Sequence, residues 1–342
     1  MDNLDIKKLT GTEIEISGEL ETDKFNAFWK AAVEKISART NIDGFRSGKI
    51  PENILVGKVG EAEILEEAAQ LALEDLWPKI LVEQNLEPIG KPEIVVTKLA
   101  KGNPLGFKIK VVTLPEVKLP DYRDIAIKVL EKPNPEISVE DSEIENALEY
   151  LQKARGKNDS TTGELPEIND DFAKSLGGFE NLDQLKTNLK ENIKGEKTIK
   201  QAEKKRMEVL DTISQDSKME IPPILIDFEK QKMLGELKEN LAGIGITWEH
   251  YLDHIKKTED ELKAEWSPEA EKRVRYGLTL REIAKAEKIQ VSDDELENEV
   301  TMIMSRVPKE EASALDPQKL KDYAYGIIRN EKVFKILEQP KN

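Results

Sequence analysis

The sequence contains no cysteine. Disulfide frameworks, thiolate nucleophiles and Cys-based zinc sites are therefore excluded. Aromatic residues make up only 5% of the 342 residues and hydrophobic residues 38%, enough for small cores but not for one large globule. No run of about 18 apolar residues is present, so no membrane span is expected. The opening "MDNLDIKKLTGTEIEIS" lacks a basic region followed by an apolar one, so no signal peptide is expected either. Positive charge is in deficit: 52 Lys and Arg against 68 Asp and Glu leave a net charge of −16. With a pI near 4.9, nucleic-acid binding over the whole surface is disfavoured, and DNA is not an expected partner. The expected compartment is the cytoplasm.

What is abundant is charge, at 35% of residues, which fits long helices with one wet face. The length predicts two or three domains. Residues 13–20, "EIEISGEL", alternate apolar and polar and predict a strand. Asp23 stands where a cap would precede an amphipathic helix, in which Phe25, Phe28, Trp29, Ala32, Val33 and Ile36 recur at three- and four-residue spacing. The loop "GFRSGKIP" follows, and Pro51 is placed to open a short helix. A second long helix, with a bend expected near Pro78, precedes two strand-like runs separated by a Gly102-Asn103-Pro104 turn.

The first 113 residues thus read as a small β-α-α-β-β unit. Pro115, Pro120, Pro133 and Pro135 predict a semi-rigid extended strap over 114–137. A short helix capped at Ser138 comes next, with Ile144, Ala147, Leu148 and Leu151 on one face, and then a polar loop over 155–165. From about 167 onward the chain reads as nearly all helix, with starts at Pro222-Pro223, Ser267, Ser292 and Asp316. The fold class is α+β multidomain, divided as 1–113, a linker with a short helix at 114–165, and an all-α region at 166–342.

Three features compete as sites. The first is the loop Gly44-Phe45-Arg46-Ser47-Gly48-Lys49-Ile50-Pro51. A phosphate-cradling loop needs a Gly-rich run ending in Lys-Ser or Lys-Thr between a strand and a helix. Here the loop joins two helices and Ile50 follows Lys49, which removes that reading. An ordinary turn explains Gly44 and Gly48, which tolerate positive φ, and Pro51. It does not explain an aromatic and two cations together at a loop tip, which suit an acidic, partly apolar partner. The window 24–58 holds seven cations and three anions, a local charge of +4 in an acidic chain.

The second feature is His250 and His254 in "WEHYLDH", which share a helix face at i, i+4 spacing. The zinc-protease pattern needs Glu directly after the first His, where this sequence has Tyr251, and no third ligand is evident. They read as surface or packing residues, and no metal, cofactor or catalytic residue is expected. The third is the apolar start at 221–237, with Ile221, Ile224, Leu225, Ile226, Phe228, Met233, Leu234 and Leu237. A helix–helix core and an exposed cradle for non-native chains both account for it. Met302 and Met304 join the candidate client-binding set with Ile224, Leu225, Phe228, Met233, Leu234 and Leu237.

At this point the chain resembles trigger factor, the bacterial ribosome-associated chaperone family. "GFRxGKxP" between helices carries the likeness, with "LPEVKLPDY", "LPEINDDFAKSLGGFENLDQLKTNLKENI", "IPPILIDFEKQKM" and "SPEAEKRVRYGLTLREIAKAEKIQVSDDELENEV". The resemblance implies a ribosome-binding N-terminal domain beside the exit tunnel and an elongated helical C-terminal domain with arm-like helices that form a client cradle. By position it assigns Gly44, Phe45, Arg46, Gly48, Lys49 and Pro51 to the ribosome grip, with Ser47 inside it where the family often has Pro or Lys. The implied partners are the large ribosomal subunit, through its RNA or an acidic protein, and nascent polypeptides, without ATP; dimerisation of the free protein is left open. The family's FKBP-like prolyl isomerase domain is missing from the expected place, since "LQKARGKNDSTTGELPE" crosses the gap. Isomerase activity is accordingly not expected. An export-type helical chaperone of the SurA kind is the alternative, but it needs a signal peptide; a ribosome-bound factor that never holds clients is another.

Overall fold

The computed structural model describes residues 4–158, 165–307 and 315–339. Its contacts divide the chain into two compact units that interleave along the sequence. One comprises Met1–Lys118 and Lys218–Gly277, the other Leu119–Ser217 and Leu278–Asn342.

The first unit is built on a four-stranded antiparallel sheet of β1 (Leu4–Lys8), β2 (Glu13–Leu20), β3 (Pro88–Lys98) and β4 (Leu105–Thr113), in the order β1-β2-β4-β3. The alternation in β2 holds: Ile14 and Ile16 are buried and face Val111 and Ile109 of β4. Helix α1 (Thr22–Arg39) buries Phe25, Trp29, Ala32 and Ile36 against that sheet face. After the short α2 (Glu52–Val59), α3 (Glu61–Glu83) buries Ile64, Ala68, Ala72, Leu76 and Ile80 at strict four-residue spacing. Small residues such as Ala68 and Ala72 in this stripe allow close helix packing, and each large apolar side chain buried contributes about 1.5–3 kcal/mol. Gly106 is required where β4 meets β3: a Cβ there would lie 2.8 Å from both the Lys98 Cβ and the Thr97 side-chain oxygen.

The small domain gains a strand that its β-α-α-β-β reading did not include. β1 is short, lies at the sheet edge and has mostly exposed side chains, so it carries no burial pattern. Asp23 is not the cap of α1; Glu21 takes that position without a side-chain hydrogen bond. The helices α8 (Pro223–Gly243), α9 (Trp248–Ile255) and α10 (Glu259–Glu265), and the first part of α11 (Ser267–Ala286), also belong to this unit.

The second unit holds α4 (Tyr122–Leu130), α5 (Asp141–Asn158), α6 (Asp170–Ser175), α7 (Leu182–Asp216), the later part of α11, α12 (Asp293–Arg306) and α13 (Pro317–Glu338). Helix α4 interrupts the strap expected over 114–137. Asp121 accepts a hydrogen bond from the Asp124 amide and caps it, and Ala126 and Val129 are buried, a local amphipathic signal hidden between prolines. Helix α5 starts at Asp141 rather than at a Ser138 cap. Glu143 reaches back to the Glu140 amide, while the Ser138 carbonyl accepts from Lys197. Ile144 and Leu148 are buried with Phe172, Ala173 and Leu185 in a small separate core. Helix α5 continues into the stretch read as polar loop, most of which lies outside the described residues.

Two long-range ties bind the helices of this unit. Arg123 meets Glu287 at 2.7 Å, and the Tyr122 hydroxyl donates to the same carboxylate at 2.6 Å. Arg206 of α7 pairs with Glu331 at 2.9 Å and Glu338 at 2.7 Å, with its guanidinium 4.8 Å from the Phe334 ring centre. Residues 331, 334 and 338 share one face of α13, so a single arginine is gripped along two turns. Among the described residues no helix is long and apolar enough to cross a membrane.

Candidate functional site

The loop of residues 44–51 is folded back onto the end of α1. The last carbonyls of a helix lack intrahelical partners, and here the loop supplies them. The Gly48 amide donates to the Ser37 carbonyl at 2.9 Å, and the Ser47 hydroxyl donates to the Ala38 carbonyl at 2.6 Å. The Ile50 amide donates to the buried Ser37 hydroxyl oxygen at 3.2 Å. Two inner turns complete the loop, from the Phe45 amide to the Ile42 carbonyl and from the Lys49 amide to the Arg46 carbonyl. Gly44 and Gly48 adopt φ of 89° and 77°, the left-handed region that glycine enters without cost. Ile50 is buried beneath the loop and anchors it in the core.

What this frame leaves outside is the set Phe45, Arg46 and Lys49. Phe45 is 39% exposed, and neither cation makes an ion pair among the described residues. Pro51 caps α2 at the far end of the loop. The Trp29 indole donates to Glu52, the first residue of α2, at 2.9 Å, and Lys101 lies 4.3 Å from the centre of the same ring. The loop is therefore braced at both ends.

The local positive charge is narrower than composition implies. Lys35 and Arg39 are engaged inward: Lys35 lies 2.6 Å and Arg39 3.2 Å from the buried carboxylate of Glu67, and Arg39 also reaches Glu63. The hydrogen bond from Lys35 is the main cause holding the Glu67 carboxyl below the ordinary carboxylate pKa, against its burial. Lys24 pairs with Glu21. Lys30, Arg46, Lys49 and Lys58 are the cations of the window without an ion pair among the described residues. Ser37 and Ser47 are the positions that sequence reasoning undervalued, because their role lies in hydrogen bonds across the loop rather than in chemistry at its tip.

The apolar candidates fall on two elements. Ile224, Leu225, Phe228, Met233, Leu234 and Leu237 lie on α8, in the first unit; Met302 and Met304 lie on α12, in the second. Leu234 is buried, Phe228 is 51% exposed and Met302 is 45% exposed. Ile224 packs over β3, where a Cβ on Gly90 would lie 3.0 Å from its Cδ1. His250 and His254 are both exposed on α9, and among the described residues no group of three potential ligands is placed to hold a metal.

The model of the family described as "Bacterial trigger factor protein (TF)" matches residues 3–151, and that described as "Bacterial trigger factor protein (TF) C-terminus" matches residues 181–338. The trigger factor of Clostridium botulinum (strain Loch Maree / Type A3) is 24% identical over 426 residues, covering 98% of this chain and 98% of the relative. That of Carboxydothermus hydrogenoformans is 28% identical over 423 residues, covering 97% of this chain and 98% of the relative. Both alignments run longer than the 342 residues present here, so each opens a large gap in this chain. A solved structure described as "Promiscuous Substrate Recognition in Folding and Assembly Activities of the Trigger Factor Chaperone" shares the fold, with a TM-score of 0.58 and 19% identity, over 98% of this chain and 100% of that one. With matching family models along both its N-terminal and C-terminal parts, the chain belongs to the bacterial trigger factor family.

Proposed function

We propose that the protein is an ATP-independent chaperone that docks on the large ribosomal subunit through Phe45, Arg46 and Lys49 and shields emerging polypeptides. The observation that carries this reading is the clasped loop, which holds outward, at the end of a braced helix, one aromatic and two cations that make no ion pair among the described residues. Arg46 and Lys49 meet ribosomal RNA phosphate or an acidic protein side chain, and Phe45 fills an apolar spot beside them. Gly44, Ser47, Gly48 and Pro51 set the shape of the loop. Docking belongs to 1–113, the linker to 114–165 and client binding to 166–342, with Ile224, Leu225, Phe228, Met233, Leu237, Met302 and Met304 offered to clients, while Leu234 is buried and supports the packing of α8 instead. Release is governed by the off-rate. The protein works in the cytoplasm.

Prolyl isomerase activity is absent in this reading. Two observations support it. The two family matches leave 152–180 unmatched, where the alignment gap is expected. Tyr122 and Tyr150 are the aromatics available between 120 and 165, but the Tyr122 hydroxyl is committed to Glu287 and Tyr150 is 73% exposed. A proline-ring pocket needs enclosing aromatic walls, which an exposed Tyr150 does not supply among the described residues.

The test is co-sedimentation with purified ribosomes. The triple substitution Phe45→Ala, Arg46→Ala, Lys49→Ala is expected to abolish it with the fold retained by circular dichroism. Unchanged co-sedimentation sinks the docking claim, and titratable turnover of a proline peptide sinks the isomerase claim.

A further inference from the structure

The core of the first unit is incomplete along one edge. Ile94 and Val96 of β3 lie opposite Ile109 and Phe107 of β4. Those partners are 0% and 2% exposed, yet Ile94 and Val96 remain 39% and 37% exposed although they point to the same core face. Helix α3 does not cover them. Between β3 and α3 runs a groove of about 650 Å³.

Its helical wall is ordered in two stripes. Ala69, Leu73 and Trp77, four residues apart, make an apolar strip, and Glu66, Gln70 and Glu74 make a polar one beside it. The charged side chains lining the groove are Glu66 and Glu74, both acidic and exposed, and among the described residues neither is paired with a cation. The opposite wall is the outermost strand of the sheet. From Glu93 to Val96 its backbone runs in register with β4 on one side and meets no described strand on the other. Pro92 and one irregularity of the strand lie before this stretch, and a second irregularity, between Val96 and Lys98, closes it, so the regular edge is Glu93 to Val96.

We infer that this groove binds an extended polypeptide segment, apolar at alternate positions and carrying a lysine or arginine, laid beside β3 as an added strand. The inference rests on the chaperone reading above and names a client-binding surface outside its helical region. An added strand supplies side chains at period two, which matches the spacing of Ile94 and Val96, and finds open backbone groups along the edge. Glu66 and Glu74, without a cation partner among the described residues although Glu74 accepts from Gln70 at 2.9 Å, select a cationic segment and disfavour an acidic one.

The test is fluorescence anisotropy on the full chain. The probes are a labelled synthetic peptide of alternating valine and threonine with terminal lysines, and its twin with glutamates in their place. The lysine peptide is expected to bind roughly ten-fold more tightly than the twin. The double substitution Glu66→Lys, Glu74→Lys lies on the exposed side of α3, leaves the fold intact and is expected to reverse that preference. Val96→Thr, nearly isosteric, is expected to weaken both peptides severalfold. A lysine peptide that binds but is indifferent to the charge reversal overturns the groove and leaves the chaperone reading standing. Binding of neither peptide overturns the groove; if aggregation suppression is absent as well, the chaperone reading falls with it. A homodimer in sedimentation velocity that the charge reversal dissolves also overturns the inference, because the occupant is then a second copy.

Discussion

The Ser37 carbonyl accepts a hydrogen bond from the Gly48 amide at 2.9 Å, tying a helix end to the middle of an exposed loop. The same serine accepts from the Ile50 amide through its hydroxyl, so one buried residue fixes the loop at two points. Ser37→Ala keeps the first bond and removes the second. It leaves a buried amide without its acceptor, a loss of about 1–3 kcal/mol by denaturant titration. Ribosome co-sedimentation is expected to weaken severalfold although Phe45, Arg46 and Lys49 are untouched, and Ser37→Thr is expected to restore it.

Gly48 separates backbone strain from crowding. A Cβ placed there meets nothing within 4 Å, yet its φ is +77°. Gly48→Ala therefore costs about 1–2 kcal/mol through the backbone alone. The measurement is again a denaturant midpoint, and a loss well below that range shows that the loop relaxes to another conformation.

In the second unit, Arg206→Met removes the cation between Glu331 and Glu338 and leaves two carboxylates on one helix face. The melting temperature is expected to fall by roughly 2–4 °C. The gap between parent and variant narrows in 1 M salt, because the group is partly exposed and screened.

Glu295 carries a pH signature. The hydrogen bond from Lys332, then that from the Ser292 amide, lower its carboxyl from the ordinary 4.5 to about 2. A depressed folded-state pKa stabilises above the unfolded value and loses that contribution as pH falls through the folded one. The melting-temperature difference between the parent and Glu295→Gln is thus expected to be constant above 4.5 and to shrink toward zero near 2. A difference that stays flat across that window contradicts the assignment.

Local patterns were legible in the sequence and distant pairings were not. The spacing of Phe25, Trp29, Ala32 and Ile36 predicts the buried face of α1, and the composition of residues 44–51 marks the loop. Ser292 and Asp316, read as helix starts, cap their helices, each accepting from an amide two or three residues on. By contrast, Glu67 looks like any surface glutamate until Lys35 and Arg39 are brought to it by packing, which removes two cations from the apparent +4. Ser37 carries no sequence signal because its partner lies eleven residues away across a turn. Helix α4 was obscured by the prolines that flank it, and β1 by its exposure. The candidates on α8 show the limit of composition: an apolar helix start names residues, but only packing separates the buried Leu234 from the exposed Phe228.

The chain leaves the first unit at Lys118 and re-enters it at Lys218, and these two residues exchange backbone hydrogen bonds of 2.9 and 3.0 Å. Everything from 119 to 217 is thereby a loop whose ends are pinned at one point. The entropy of closing such a loop grows only with the logarithm of its length, about 0.6 kcal/mol per doubling. A module spliced into that loop, or cut from it, need not displace either end. The length difference between this chain and its relatives is thus inexpensive where it falls within the pinned loop, and the loop of residues 44–51 between α1 and α2 has no reason to register it.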